Sequence, residues 1–201
     1  MTEQSASPTE PGAPTGDAGP AIAKIVADGM RDVPDYPKEG VLFKDIVPLL
    51  VDADAFGATI AALAQIVKAA HGDEPVDLVA GIEARGFIVA AALARELHCG
   101  LLPLRKAGKL PPPVISETYD LEYGTATIET STGVIGGRSV YLVDDVLATG
   151  GTLIAASKLV QNAGGTLVGV GVLLELGFLG GRAKLTEAIG DTLPLAALLA
   201  V

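Results

Sequence analysis

Two adjacent carboxylates, Asp144 and Asp145, stand where an apolar run ends, and a turn of small residues follows them within the stretch VYLVDDVLATGGT, residues 140–152. The first part has the continuous apolar character of a strand buried on both faces. The turn Ala148-Thr149-Gly150-Gly151-Thr152 then opens a helix. A Gly-rich turn at a helix start presents unpaired backbone N–H groups, small hydroxyls and the positive end of the helix dipole, which together cradle a phosphate. Two carboxylates beside that cradle repel a phosphate unless something positive or hydroxylic lies between. A ribose diol and a magnesium ion meet that need. Paired acids at a buried strand end are costly unless they bind something, so these residue types point to a phosphorylated sugar and Mg2+. No Gly-Lys-Ser/Thr completes a Walker loop, and no G-x-G-x-x-G fingerprint of a dinucleotide site is present.

Two further segments have chemical content. GIEARGF, residues 81–87, again joins a strand end to a helix start, and its backbone N–H groups with Arg85 can bind a dianion. Residues 106–124, KAGKLPPPVISETYDLEYG, carry three consecutive prolines and several charges. That length is unusual for a connection inside a compact domain, so the segment predicts a flexible lid loop flanked by basic residues. His71 and His98 lack Cys or acid partners at metal-ligand spacing, and Cys99 reads as a small buried hydrophobe. No Gly-x-Ser-x-Gly elbow supports a serine hydrolase.

The elements that must position these groups alternate. Helices are predicted over 21–30, after Asp54, over 87–97 and over 151–163; apolar strands over 76–80, 100–104, 139–143, 167–174 and 193–201. Apolar strands alternating with helices define an α/β fold with a mostly parallel central sheet flanked by helices. Residues 1–19 are Pro, Gly, Ser, Thr and Glu with almost nothing apolar, and predict a disordered tail before a domain spanning 20–201. With 201 residues, 49% of them hydrophobic, one core is affordable. The net charge of −10 argues against nucleic acid and against anionic membranes as partners. No apolar run approaches the roughly 18 residues of a membrane span. A lone cysteine and no signal pattern predict the cytoplasm.

The 140–152 stretch resembles the phosphoribosyl-pyrophosphate loop of type I phosphoribosyltransferases. That resemblance implies the type I phosphoribosyltransferase fold, with a small N-terminal hood about residues 31–50 and the lid about 106–124. It also implies that Ala148 to Thr152 hold a 5′-phosphate, while Asp144 and Asp145 accept from the ribose hydroxyls directly or through magnesium-bound water. VPDYPKEGVLFKDI, residues 33–46, looks like the hood of adenine phosphoribosyltransferases. There Phe43 stacks on the base, adding about 1–3 kcal/mol, and backbone groups around Leu42 and Lys44 read its edge. GIEARGF is similar to the family's pyrophosphate loop, implying that Glu83, Ala84 and Arg85 meet the leaving group and that Glu83–Ala84 is a cis peptide. Glu83 and Ala84 depart from the more usual Asp and Ser. LRKAGKLP and YDLEYG, bracketing the lid, imply that Arg105, Lys106 and Lys109 face pyrophosphate. They also place Tyr119, Glu122 and Tyr123 in the lid, with Glu122 handling the purine proton. The implied reaction takes adenine and phosphoribosyl pyrophosphate to AMP and pyrophosphate with Mg2+, in a homodimer. A xanthine or hypoxanthine enzyme, or a regulator keeping this fold as a sensor, would be the alternatives. Such a regulator should carry a DNA-binding domain, and the acidic tail is too short and too polar to be one.

Removing residues 1–19 is expected to leave turnover and melting temperature unchanged. A loss above about 2 kcal/mol would show the tail to be part of the fold, since surface changes usually cost about 0.5.

Overall fold

The computed structural model describes residues 19–72, 74–121 and 124–201. Its centre is a seven-stranded sheet in the order β5-β6-β4-β3-β7-β8-β9. Strands β3 (Leu78–Ile82), β4 (Gly100–Lys106), β7 (Ser139–Leu147), β8 (Thr166–Glu175) and β9 (Leu195–Ala200) run parallel. β5 (Val114–Leu121) and β6 (Gly124–Ser131) form an antiparallel pair at one edge, joined to β4 through β6. A separate two-stranded unit, β1 (Arg31–Pro34) with β2 (Leu42–Asp45), makes the N-terminal hood.

Successive strand residues point to opposite faces, and both faces are covered. Val79, Tyr141, Val143 and Leu173 pack with α3 (Ala53–His71) and α4 (Arg85–Leu97) through Ile60, Leu63, Val67, Val89 and Leu93. The same layer takes Val26 of α1 (Gly19–Asp28) and Leu49 of α2 (Val47–Val51). Leu78, Ala80, Leu142 and Val170 face the other way, onto Leu153, Ala156 and Leu159 of α5 (Gly151–Asn162) and Leu185 of α6 (Gly181–Ile189). Among the described residues α3 alone is long and apolar enough to cross a membrane by length and composition, which the single-run count of the sequence did not foresee. Here it lies on the sheet, started by Asp52, whose carboxylate accepts from the N–H groups of Asp54 and Ala55.

The expected α/β architecture stands, with four differences of detail. β3 begins at Leu78 rather than 76, because Asp77 is spent on bracing Ser139: its carboxylate accepts from the Ser139 N–H at 2.8 Å and hydroxyl at 2.9 Å. β7 continues past its apolar run through both aspartates to Leu147, since β8 pairs with it as far as Glu175. The segment expected as an irregular lid loop is largely strand. Its three prolines precede β5 instead of interrupting it, and residues 114–121 then register on β6 with Thr118 opposite Thr127. α6, with one fully buried apolar side chain at Leu185, has too weak a pattern to be seen in the sequence. Residues 1–18 of the predicted tail lie outside the described residues, and α1 starts at Gly19.

β3 and α4 meet closely at Gly81, where a Cβ would sit 2.5 Å from the Ala90 Cβ and 2.6 Å from the Gly86 carbonyl oxygen. Both contacts are with rigid groups. Gly81→Ala is therefore expected to cost about 1–3 kcal/mol, the usual range for overpacking, read as a lower denaturant midpoint at unchanged m-value. An unaltered midpoint would show that the strand–helix contact relaxes freely.

Candidate functional site

β3 stands between β4 and β7, where the chain order reverses, and ligands of open α/β sheets bind beyond the strand ends at such a switch point. A cleft of about 590 Å³ opens there, walled by the ends of β3 and β7, by the hood and by the β5–β6 pair. The structure brings into it Leu42, Phe43 and Lys44 of the hood; Glu83, Ala84 and Arg85 after β3; Lys106 at the end of β4; Tyr119; Asp144 and Asp145; and Ala148 and Thr152. The volume suits a ligand of small-molecule size.

The two aspartates are the electrostatic centre. Asp145 is buried, and Arg85 Nε lies 2.9 Å from its Oδ2, although no donor is aligned on that oxygen as a hydrogen bond. Asp144 is partly buried, and its Oδ1 accepts from the Asp145 N–H at 2.9 Å. Burial, and then the neighbouring Asp145 charge, hold the Asp144 carboxyl well above the usual 3.8; Arg85 offsets only part of this. Gly86 in the first turn of α4 makes the approach possible, since a Cβ there would come within 2.9 Å of Asp144 Oδ1.

The hood presents Phe43 with Tyr36 on its edge, ring centres 5.1 Å apart at 76°. Arg85 covers the ring, its Cζ 4.9 Å from the centroid, and its Nη1 reaches the Lys44 carbonyl at 3.5 Å. Arg85 thus touches Phe43, Lys44 and Asp145, at the hood end of the cleft. The Lys44 ammonium turns to Asp32 at 2.6 Å, so Lys44 offers the cleft its backbone. The Glu83–Ala84 peptide is cis. Glu83 accepts from the Lys106 N–H at 3.0 Å and Arg105 Nε at 3.3 Å, and these contacts, led by the Lys106 N–H, keep its carboxyl below its usual range. Arg105 also donates to the Lys109 carbonyl, and buried Glu129 accepts from the N–H groups of Lys109 and Leu110. Among the predicted basic residues, then, Lys106 lines the cleft, while Arg105 is engaged beside it and Lys109 is placed through its backbone.

In the Gly-rich turn, Ala148 and Thr152 face the cleft, Thr149 is exposed, and Gly150 has φ +88°, a left-handed value that favours glycine. Tyr119 reaches this turn from β5, its hydroxyl 3.5 Å from Thr152 Oγ1. Glu122 and Tyr123 lie outside the described residues. Sequence reasoning missed Val146 and Leu176, which also line the cleft, and Gly181, packed behind the turn. The Gly180-Gly181 pair was a legible turn signal for the last of these.

Comparison with known proteins defines the family. The phosphoribosyl transferase domain family matches residues 50–186. The chain belongs to the phosphoribosyltransferase family. Adenine phosphoribosyltransferases are its relatives within it: that of Mycobacterium avium (strain 104) is 53% identical over 173 residues, covering 84% of this chain and 93% of that protein. That of Thermobifida fusca (strain YX) is 54% identical over 167 residues, covering 83% and 93%. The crystal structure of the Rhodothermus marinus DSM 4252 enzyme superposes with a TM-score of 0.82 at 39% identity, over 91% of this chain and all of that one. The Saccharomyces cerevisiae enzyme, solved with an imino-altritol bisphosphate and adenine, gives 0.82 at 34% identity, covering 89% and 99%.

The raised Asp144 carboxyl sets a pH-dependent cost. A carboxyl held higher in the folded than the unfolded chain contributes stability below the unfolded value, and that contribution is lost as pH rises toward the folded one. Asp144→Asn keeps an acceptor for the Asp145 N–H and removes the charge. It is expected to raise the melting temperature at pH 7, with the gain vanishing as pH falls toward 3.8. A variant less stable than the parent at pH 7 would show that Asp144 is not a strained charge.

Proposed function

We propose that the chain transfers the 5-phosphoribosyl group of phosphoribosyl pyrophosphate to adenine, giving AMP and pyrophosphate, a purine-salvage reaction. The observation that carries the reading is one cleft holding an aromatic hood, a carboxylate pair and a Gly-rich helix-opening turn in sequence. The curated relatives bear the name of that activity, and the yeast structure holds adenine.

In the reaction the bond from the anomeric carbon to the pyrophosphate oxygen breaks, the bond to N9 forms with inversion, and the N9 proton leaves. A cationic, oxocarbenium-like transition state needs orientation and charge more than a nucleophile. Ala148 to Thr152 hold the 5′-phosphate on backbone N–H groups and hydroxyls. Asp144 and Asp145 accept from the ribose hydroxyls, and they are the residues that would hold magnesium, directly or through its water. Adenine stacks at Phe43, with backbone groups at Leu42 and Lys44 matching its donor amine and acceptor ring nitrogen. Arg85 serves the base and ribose ends together, a role its contacts favour over pyrophosphate alone. Lys106 with Arg105 and Lys109 meets the leaving group, and Glu83 with Ala84 sets the loop beneath it. Tyr119, with Glu122 and Tyr123, serves as the lid that excludes water that would hydrolyse the donor. Glu122 takes the purine proton, because Ala148 stands where hypoxanthine-guanine relatives have an acid.

The carboxylate pair fits magnesium as a hard-oxygen donor set, and Asp145 Oδ2 lacks an aligned partner. Among the described residues no cluster of three His, Cys, Asp or Glu exists, so Asp144 and Asp145 are the residues that would hold the ion. When bound it neutralises charge on the leaving group. We place the enzyme in the cytoplasm as a homodimer.

The test is AMP formation from adenine and phosphoribosyl pyrophosphate, with magnesium present or withheld, in the parent and in the Asp144→Asn/Asp145→Asn double variant. Turnover should require magnesium and fall by roughly a hundredfold or more in the variant, the scale of losing preorganised electrostatic groups. Product from hypoxanthine or xanthine without AMP would overturn the base assignment. A double variant as active as the parent would overturn the ribose assignment.

A further inference from the structure

We infer that Gly181 and the Arg182–Glu175 ion pair are positioning residues for the donor's 5′-phosphate, acting from behind through the turn at 148–151. This rests on the phosphoribosyl-transfer reading above. The turn has two sides. Ala148 and Thr152 line the cleft, whereas the other side is pressed on the first residue of α6. A Cβ on Gly181 would fall onto the carbonyl oxygen of Ala148 and within 3.0 Å of the Gly150 N. A Cβ on Gly150 would in turn come 2.9 Å from the Gly181 carbonyl oxygen. Two backbones meet here with no side chain between them, so any shift of α6 moves the phosphate turn with it.

α6 is held by more than its own packing. Arg182 grips Glu175, the last residue of β8, with Nε 3.0 and 2.9 Å from the two carboxylate oxygens and Nη2 2.5 Å from Oε2. Its Nη1 donates to the Leu195 carbonyl at the start of β9 at 3.0 Å. Glu175 is buried, and a fork-shaped guanidinium is fixed in orientation as an ammonium is not. The Leu176 N–H donates to the Leu147 carbonyl at 2.9 Å, tying the end of β8 to the residue before the turn. The frame of the turn is therefore closed: β7 to the turn, the turn to Gly181, Gly181 to Arg182, Arg182 to Glu175, and back to β7. Gly181, Arg182 and Glu175 do not line the cleft, so their effect reaches the donor only through the backbone.

Misplacing a binding group by about 1 Å can cost about a hundredfold. Calorimetry with ribose 5-phosphate and separately with adenine, together with steady-state kinetics, reads the effect. Gly181→Ala and Arg182→Met are each expected to weaken ribose 5-phosphate and raise KM for phosphoribosyl pyrophosphate by about tenfold or more, with adenine affinity unchanged. Arg182→Lys should recover part of the loss, and Lys184→Ala, on the exposed side of the same helix, should match the parent. Should Gly181→Ala fail to fold, the Met and Lys variants at 182 decide alone. Folded variants that bind ribose 5-phosphate like the parent, or that lose both ligands equally, would overturn the inference while leaving the function intact. A parent chain that bound no ribose 5-phosphate and made no AMP would overturn both.

Discussion

The structure depends on bringing two like charges to the buried end of one central strand. At 4 Å and an effective dielectric of 20, two unit charges repel by about 4 kcal/mol, before any desolvation. Asp144 and Asp145 are held despite this because their surroundings supply compensation on three sides. The Asp145 N–H donates to Asp144, Arg85 stands against Asp145, and Gly86 leaves the Asp144 carboxylate room at the first turn of α4. The compensation is partial, as the raised Asp144 carboxyl records. A site left unneutralised in this way favours whatever brings hydroxyl donors or a cation to it, and that preference is what the cleft offers chemically.

Holding the charges there requires backbone, not side chains, at the points of closest approach. Gly81 lets α4 sit on β3, Gly86 admits the carboxylate, and Gly150 with Gly181 lets the turn at 148–151 rest on α6. Each is a place where a Cβ would meet a carbonyl or a carboxylate. The cores on both sheet faces then supply the stability that such crowding costs, with Tyr141, Leu142 and Val143 fully buried just before the aspartates begin. Function sits where the apolar ladder stops.

That arrangement explains what the sequence displays and what it hides. The parallel strands and the four longer helices are legible because burial on both faces demands continuous apolar runs, and the carboxylate pair with its turn is legible because nothing else explains such residues there. β1 and β2 are hidden in a stretch of mixed polarity, where Lys44 and Asp32 pair with each other rather than with a core. β5 is hidden behind Pro111, Pro112 and Pro113, which read as loop although the strand begins after them. Arg85 was assigned from its charge to a leaving group. A cation–π contact and an ion pair also set it against the hood and the carboxylates, contacts that charge and spacing in the sequence do not display. Glu83 likewise has the wrong sign for an anion site until its bonds to Arg105 and the Lys106 N–H are known.

Arg85 also couples the two ends of the cleft. Its guanidinium carbon lies 4.9 Å from the Phe43 centroid, whereas two van der Waals gaps around an inserted planar base require about 7 Å. A base on that face of Phe43 must therefore displace the guanidinium, and the same side chain is the cation against Asp145. Phe43 and Asp145 cannot be independent while one residue answers to both. Substitutions at Phe43, Arg85 and Asp145 share partners, so their effects will not add. Asp145 is the more constrained of Arg85's partners, being buried with an oxygen that has no aligned donor, whereas Arg85 itself is about a third exposed. Water can replace the carboxylate for the arginine more readily than it can replace the arginine for the carboxylate. Movement of Arg85 thus leaves its deficit at Asp145, where a ribose hydroxyl or a hydrated cation can make it good.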